Sequence, residues 1–131
     1  MSPSVSRLVR ADPAAAWDVL ARTAAWPDWG PSVSGVDPVD AVVTPGLTGR
    51  VRTPVGLWLP FRVTSAEVGR SWSWSVAGVP ATGHTITAEP GGCRIAFTVP
   101  WAAAPYLAVC RAALGRLATL LEAREQPEDR T

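Results

Sequence analysis

Apolar and polar positions follow two different rhythms along this chain, and the changes of rhythm mark its elements. Val5, Arg7 and Val9 alternate weakly with Ser6, Leu8 and Arg10, as in a first strand. Trp17, Leu20, Ala21 and Ala24 then recur at helical spacing. Asp12-Pro13 offers an N-cap side chain followed by a proline at the first helical position, and Trp26-Pro27 interrupts the run. The pattern predicts a helix from roughly Pro13 to Thr23. A short second helix is predicted to start at Pro27 and to stop at Gly30-Pro31.

From Val33 to Val99 the period drops to two. Strand-like runs are separated by Thr44-Pro45-Gly46, Pro54-Val55-Gly56, Glu67-Val68-Gly69, Gly78-Val79-Pro80 and Pro90-Gly91-Gly92, the spacing of an antiparallel meander. Trp72, Trp74 and Val76 alternate with Ser71, Ser73 and Ser75, and Cys93, Ile95, Phe97 and Val99 with Arg94, Ala96 and Thr98. One face of the sheet is therefore apolar and the other wet. Leu59, Phe61 and Val63 extend the apolar face, leaving Trp58, Arg62 and Thr64 outside; Arg50 and Arg52, flanking Val51, are placed outside as well. From Pro105 to about Arg124 the helical period returns, with Leu107, Cys110, Leu114, Leu117 and Leu121 in one stripe. A one-sided helix after a one-sided sheet must lie across it, because neither buries its stripe alone. This predicts one α+β domain over residues 1–124, with a polar tail over 125–131.

Composition narrows the functional classes. The 131 residues suffice for one core, and 47% hydrophobic against 18% charged residues describes a globular chain. All positive side chains are Arg, twelve of them dispersed among eleven carboxylates, so the basic stripe that nucleic acid requires is missing. No apolar run approaches the ~20 residues of a membrane span, and no signal-peptide pattern opens the chain, so a soluble cytoplasmic protein without integral membrane association is expected. Cys93 and Cys110 read as small buried hydrophobes rather than a disulfide. One His and two separated Cys supply no metal cluster, and no Walker loop, dinucleotide fingerprint or nucleophile elbow is present, so no metal or cofactor is expected. Oligomeric state is not legible.

Ala11-Asp12-Pro13-Ala14-Ala15-Ala16-Trp17-Asp18-Val19-Leu20, Trp26-Pro27-Asp28-Trp29, Gly49-Arg50-Val51, Trp72-Ser73-Trp74 and Gly91-Gly92-Cys93-Arg94-Ile95 carry a resemblance that spans nearly the whole chain. The sequence resembles the START-related, birch-pollen-allergen-like (SRPBCC) superfamily, and is similar to its polyketide cyclase/dehydrase branch. The resemblance implies a helix-grip fold: a curved antiparallel sheet of about seven strands in β-α-α-β6-α order, wrapped around a long C-terminal helix with an apolar cavity between them. It implies no catalytic residue, because lipid carriers, cyclases and receptors share these fold-determining positions.

His84, the sole histidine, is the candidate acid or base. A two-residue loop at Pro90-Gly91 sets Ile86 opposite Ile95 and His84 opposite Phe97, on the cavity side. A satisfied, buried neutral imidazole is the alternative. Tyr106 could donate a proton or bind a ligand, and Asp28 or Glu67 could orient the imidazole. Of seven Trp, Trp17, Trp72 and Trp74 read as core, and Trp26, Trp29, Trp58 and Trp101 as rim or loop anchors near the cavity mouth. The candidate ligand-binding set is Trp29, Trp74, Val76 and His84 together with Phe97, Trp101, Tyr106 and Cys110. Three readings follow: binding of a small hydrophobic molecule such as a lipid, polyketide or aromatic metabolite; a polyketide cyclase or dehydratase using His84; or a protein-interaction module with a filled core.

Overall fold

A computed structural model describes residues 3–124, and the polar tail expected over 125–131 lies outside them. Seven strands form one antiparallel sheet: β1 (Ser4–Val9), β2 (Gly35–Asp37), β3 (Thr48–Arg52), β4 (Trp58–Glu67), β5 (Ser71–Val76), β6 (Val79–Glu89) and β7 (Gly92–Thr98). Their spatial order is β1-β7-β6-β5-β4-β3-β2, so a six-strand meander is closed at one edge by the N-terminal strand. Helices α1 (Pro13–Ala21), α2 (Trp26–Trp29) and α3 (Leu107–Arg124) lie on the apolar face. This is the helix-grip architecture that the resemblance implies, with the meander and long helix that the residue pattern predicts.

Local chemistry explains where the elements deviate from expectation. Asp12 occupies the N-cap position of α1 with extended backbone, but its side chain makes no capping bond. The helix stops at Ala21 because Thr23 is committed elsewhere: its N–H donates to the Ala41 carbonyl at 2.9 Å and its hydroxyl accepts from the Ala41 N–H at 2.9 Å. A 3-10 turn, Thr23–Ala25, leads into α2, which begins at Trp26 rather than Pro27. The β5–β6 turn is formed by Ala77 and Gly78, at φ of 53° and 79°, so Val79 already belongs to β6. A 3-10 segment, Trp101–Tyr106, leads into α3.

The β6–β7 register pairs His84 with Phe97 and Ile86 with Ile95, as the Pro90-Gly91 loop predicts. Two bulges shift the register of β5. One falls between Val63 and Ser65 on β4; the other places Trp74 opposite both Ala81 and Thr82 on β6. Extra residues of this kind bend a strand and sharpen its twist, which curves the sheet toward the helices.

The core joins both layers. Cys110, Ala113, Leu114, Leu117, Ala118 and Leu121 of α3 are buried against a face built from Val9, Phe61, Val63, Trp72, Ile86, Ile95 and Phe97. Each fully buried Leu or Ile contributes about 1.5–3 kcal/mol. Cys93 and Cys110 are free and buried. Trp101–Ala123 is long and apolar enough to cross a membrane by length and composition alone, with a mean hydropathy of 1.2 over an 18-residue window. The register of its leucines serves another purpose, since the stripe from Cys110 to Leu121 is buried on the sheet.

Candidate functional site

Alternation along β6 puts Thr82 and His84 on the same face, and the β5–β6 register sets them across from Trp74 and Trp72. The Thr82 hydroxyl lies 2.9 Å from the Trp74 indole nitrogen and 2.9 Å from His84 Nε2, while His84 Nδ1 lies 3.1 Å from the Trp72 carbonyl oxygen. A carbonyl only accepts, so Nδ1 carries a proton, and an indole N–H only donates, so Thr82 accepts from Trp74; with the imidazole neutral, Nε2 accepts from the Thr82 hydroxyl.

Burial keeps the imidazole neutral, and both its nitrogens are hydrogen-bonded. Burial pushes its pKa from 6.5 down to about 3, and the hydrogen bond to the Trp72 carbonyl only partly opposes this. The ring also stacks on Trp72, centroids 3.9 Å apart, and meets Phe97 edge-on at 4.8 Å. Tyr106 and Cys110 are shifted in the other direction: burial raises the Tyr106 phenol above its usual range and the Cys110 thiol to about 11. Near neutral pH none of these three groups is ionised.

Aromatic rings fill the deep end of the space between sheet and helix. Trp26 lies flat against Trp72 at 5.2 Å and edge-on to Phe61 and Trp74. Its N–H donates to the Leu20 carbonyl, and that of Trp29 to the Val19 carbonyl, each at 3.1 Å. The Trp72 N–H is buried without a hydrogen-bond partner among the described residues. What remains beside these rings is an inner chamber of about 30 Å³, lined in part by Trp29, Trp72, His84, Phe97, Tyr106 and Cys110. That is room for about one water molecule.

A larger outer chamber of about 290 Å³ opens on the far side of Trp74. Its walls are Val51, Leu59, Trp74 and Val76 from the sheet, Val79, Pro80 and Ala81 from the start of β6, and Val99, Pro100 and Ala103 from the approach to α3. Ser32, Thr53, Thr82 and Tyr106 provide its polar points. A hydrogen bond between the Ser32 and Tyr106 hydroxyls ties the segment after α2 to the lead-in of α3, and both residues line both chambers.

The structure thus brings together Trp29, Trp74, Val76, His84, Phe97, Tyr106 and Cys110, divided between two chambers. It does not bring in Asp28 or Trp101. Asp28 is exposed on the outer side of α2, beside Ala112, Gly115 and Arg116 of α3. Trp101 is 71% exposed and lines neither chamber. Glu67 sits at the β4–β5 turn beside Arg70, so no carboxylate orients His84. Trp26, read as rim, is core; Trp58 lies under the Arg50 guanidinium, 5.0 Å from its centroid. The small residues Ala81 and Ala103, which leave the outer chamber empty, carried no signal in the sequence beyond their size. Among the described residues, no group of His, Cys, Asp and Glu is arranged to hold a metal ion.

Comparison with known proteins agrees with this architecture. Similar solved structures include MLL2253 from Mesorhizobium loti (TM-score 0.77, 15% identity, covering 94% of this chain and 98% of that one) and XoxI from Bacillus cereus (TM-score 0.71, 15% identity, 96% and 99%). DynU16, described as a protein of the dynemicin biosynthetic locus, is similar at TM-score 0.69 and 23% identity over 91% of this chain, which spans 46% of that one. No curated protein matches the chain. Residues 2–122 match the profile described as polyketide cyclase/dehydrase and lipid transport, and the chain belongs to that family.

Proposed function

We propose that this protein binds a compact hydrophobic molecule in the outer chamber, without performing acid–base chemistry on it. Family and fold support a hydrophobic-ligand or cyclase-type role in general. The observation that favours binding is the state of His84: its two nitrogens are held by Trp72 and Thr82, and its pKa of about 3 makes it a weak base that carries no imidazolium proton at neutral pH. The cyclase reading through His84 has correspondingly less support. The chamber, at about 290 Å³, falls near the lower end of the ~300–1,000 Å³ typical of ligand pockets, which suits a short acyl chain or a small planar aromatic. Thr82, Ser32 and Tyr106 would orient a single polar end.

The test uses a panel of medium-chain fatty acids and fused-ring aromatics, read by thermal shift and native mass spectrometry. Wild type is expected to gain melting temperature with at least one member, and Val76→Trp, which fills the chamber, to lose that gain. A flat response across the panel, or undiminished binding by Val76→Trp, would overturn the reading.

A further inference from the structure

The register of the sheet sorts its loops into two ends of opposite character. β3 ends at Arg52 and β4 begins at Trp58; β5 ends at Val76 and β6 begins at Val79; β7 ends at Thr98. Because the strands are antiparallel neighbours, the loops after β3, β5 and β7 share one end. This is the end at which the outer chamber opens, since Thr53, Val79, Pro80, Pro100 and Ala103 are among its walls.

That end carries protruding apolar side chains on all three loops: Val55 is 90% exposed, Leu57 58%, Val79 63% and Trp101 71%. The three loops themselves are also free of charged side chains, for residues 53–60, 77–81 and 99–110 contain no Asp, Glu, Arg or His. The opposite end is built differently. Val68 is equally bare there but stands between Glu67 and Arg70, which pair with each other, and Glu89 pairs with Arg94. The exposed Val39 lies between Asp37 and Asp40. Immediately beneath the charge-free tips, the exposed Arg52 at the end of β3 makes no ion pair among the described residues.

We infer that this mouth end docks on an anionic lipid bilayer, with Val55, Leu57, Val79 and Trp101 entering the interfacial zone and Arg52 meeting the headgroups. Separate apolar tips on three loops suit insertion between headgroups better than the continuous surface of ~800 Å² per side that a stable protein contact needs. An indole is favoured at such an interface, where one edge meets apolar and the other polar surroundings. The cation adds attraction to acidic lipids, and carboxylates that would oppose it are missing from all three loops.

The experiment is co-sedimentation of the full chain with vesicles of phosphatidylcholine alone and of phosphatidylcholine with about a quarter phosphatidylglycerol. Wild type is expected to pellet with the mixed vesicles. Val55→Asp and Trp101→Ser should each reduce its partitioning about tenfold, the consequence of withdrawing one apolar side chain from burial. Arg52→Gln should reduce it about fivefold on the mixed vesicles and leave pure phosphatidylcholine unaffected. Val68→Asp, an equally exposed site at the other end, should change nothing.

Failure of wild type to pellet, or equal losses in Val55→Asp and Val68→Asp, would overturn the inference. So would a concentration-dependent dimer abolished by Val55→Asp, which would make a second copy the occupant of this surface. Docking and cargo binding are separable, because Val76→Trp leaves the tips intact and should still pellet.

Discussion

Acidification from pH 7 to pH 5 is expected to weaken the folded protein by about 2 kcal/mol through a single imidazole. His84 has a folded pKa of about 3 against about 6.5 when exposed, so as pH falls the unfolded chain takes up the proton first. Its neutral form therefore contributes full stability above about pH 6.5, and that contribution is lost progressively between 6.5 and 3, to a total of about 5 kcal/mol. Only the first part of the loss is cleanly readable. The chain has no second histidine, so the interval from 7 to 5, read against a His84 variant, reports on this ring. Urea unfolding followed by far-ultraviolet circular dichroism at the two pH values measures the difference. His84→Gln, which retains an amide donor and acceptor, should start from lower stability but lose less than about 0.5 kcal/mol over the same interval. A wild-type stability unchanged between pH 7 and 5, or an equal loss in the Gln variant, would refute the assignment of a buried, neutral His84.

Three further outcomes are expected. Thr82→Val leaves the Trp74 N–H and His84 Nε2 without their shared partner and should destabilise by about 2–4 kcal/mol in urea unfolding, whereas Thr82→Ser should recover most of it. Leu117→Ala empties a fully buried position facing the sheet and should cost about 2–5 kcal/mol in the same assay. Cys93 and Cys110, both buried with pKa values raised by burial, should resist iodoacetamide at pH 8 in the folded protein and react fully in urea, as read by mass spectrometry.

The antiparallel meander, the facing of β4 to β7 and the buried stripe of α3 were legible because turn spacing marks the strands, and alternation and helical spacing report which side of an element is dry. The His84–Phe97 pairing followed from a two-residue turn, a strictly local signal. The misread features depend on partners distant in the chain. Thr23 ends α1 because Ala41 binds it, and nothing adjacent to Thr23 announces that. Trp26 reads as a rim residue or loop anchor because it stands at a predicted element end, yet the single turn it opens aims its ring into the core. The turn at Ala77-Gly78 was placed one residue late, since alanine at positive φ has no compositional mark. The site was harder still. Thr82 and His84 share a face through their spacing in β6, but the Trp74 that completes the chain is set across from Thr82 only by how β5 and β6 pair, and the outer chamber exists where side chains are small, which leaves no positive signature to find.

The closing of the sheet by β1 has a consequence for the order in which the chain can become folded. β1 pairs with β7, its Ser4 beside Thr98, and the Arg10 N–H reaches Glu122 of α3 across 112 positions of sequence. The hairpins from β3 to β7 join near neighbours, but the first strand has no partner until β7 exists, and α3 covers both. During synthesis from the N-terminus, β1 must therefore wait, unpaired, until almost all of residues 3–124 has emerged. Such long-range closure raises contact order and slows folding, so the apolar face that later encloses the chambers stays accessible to chaperones until α3 docks.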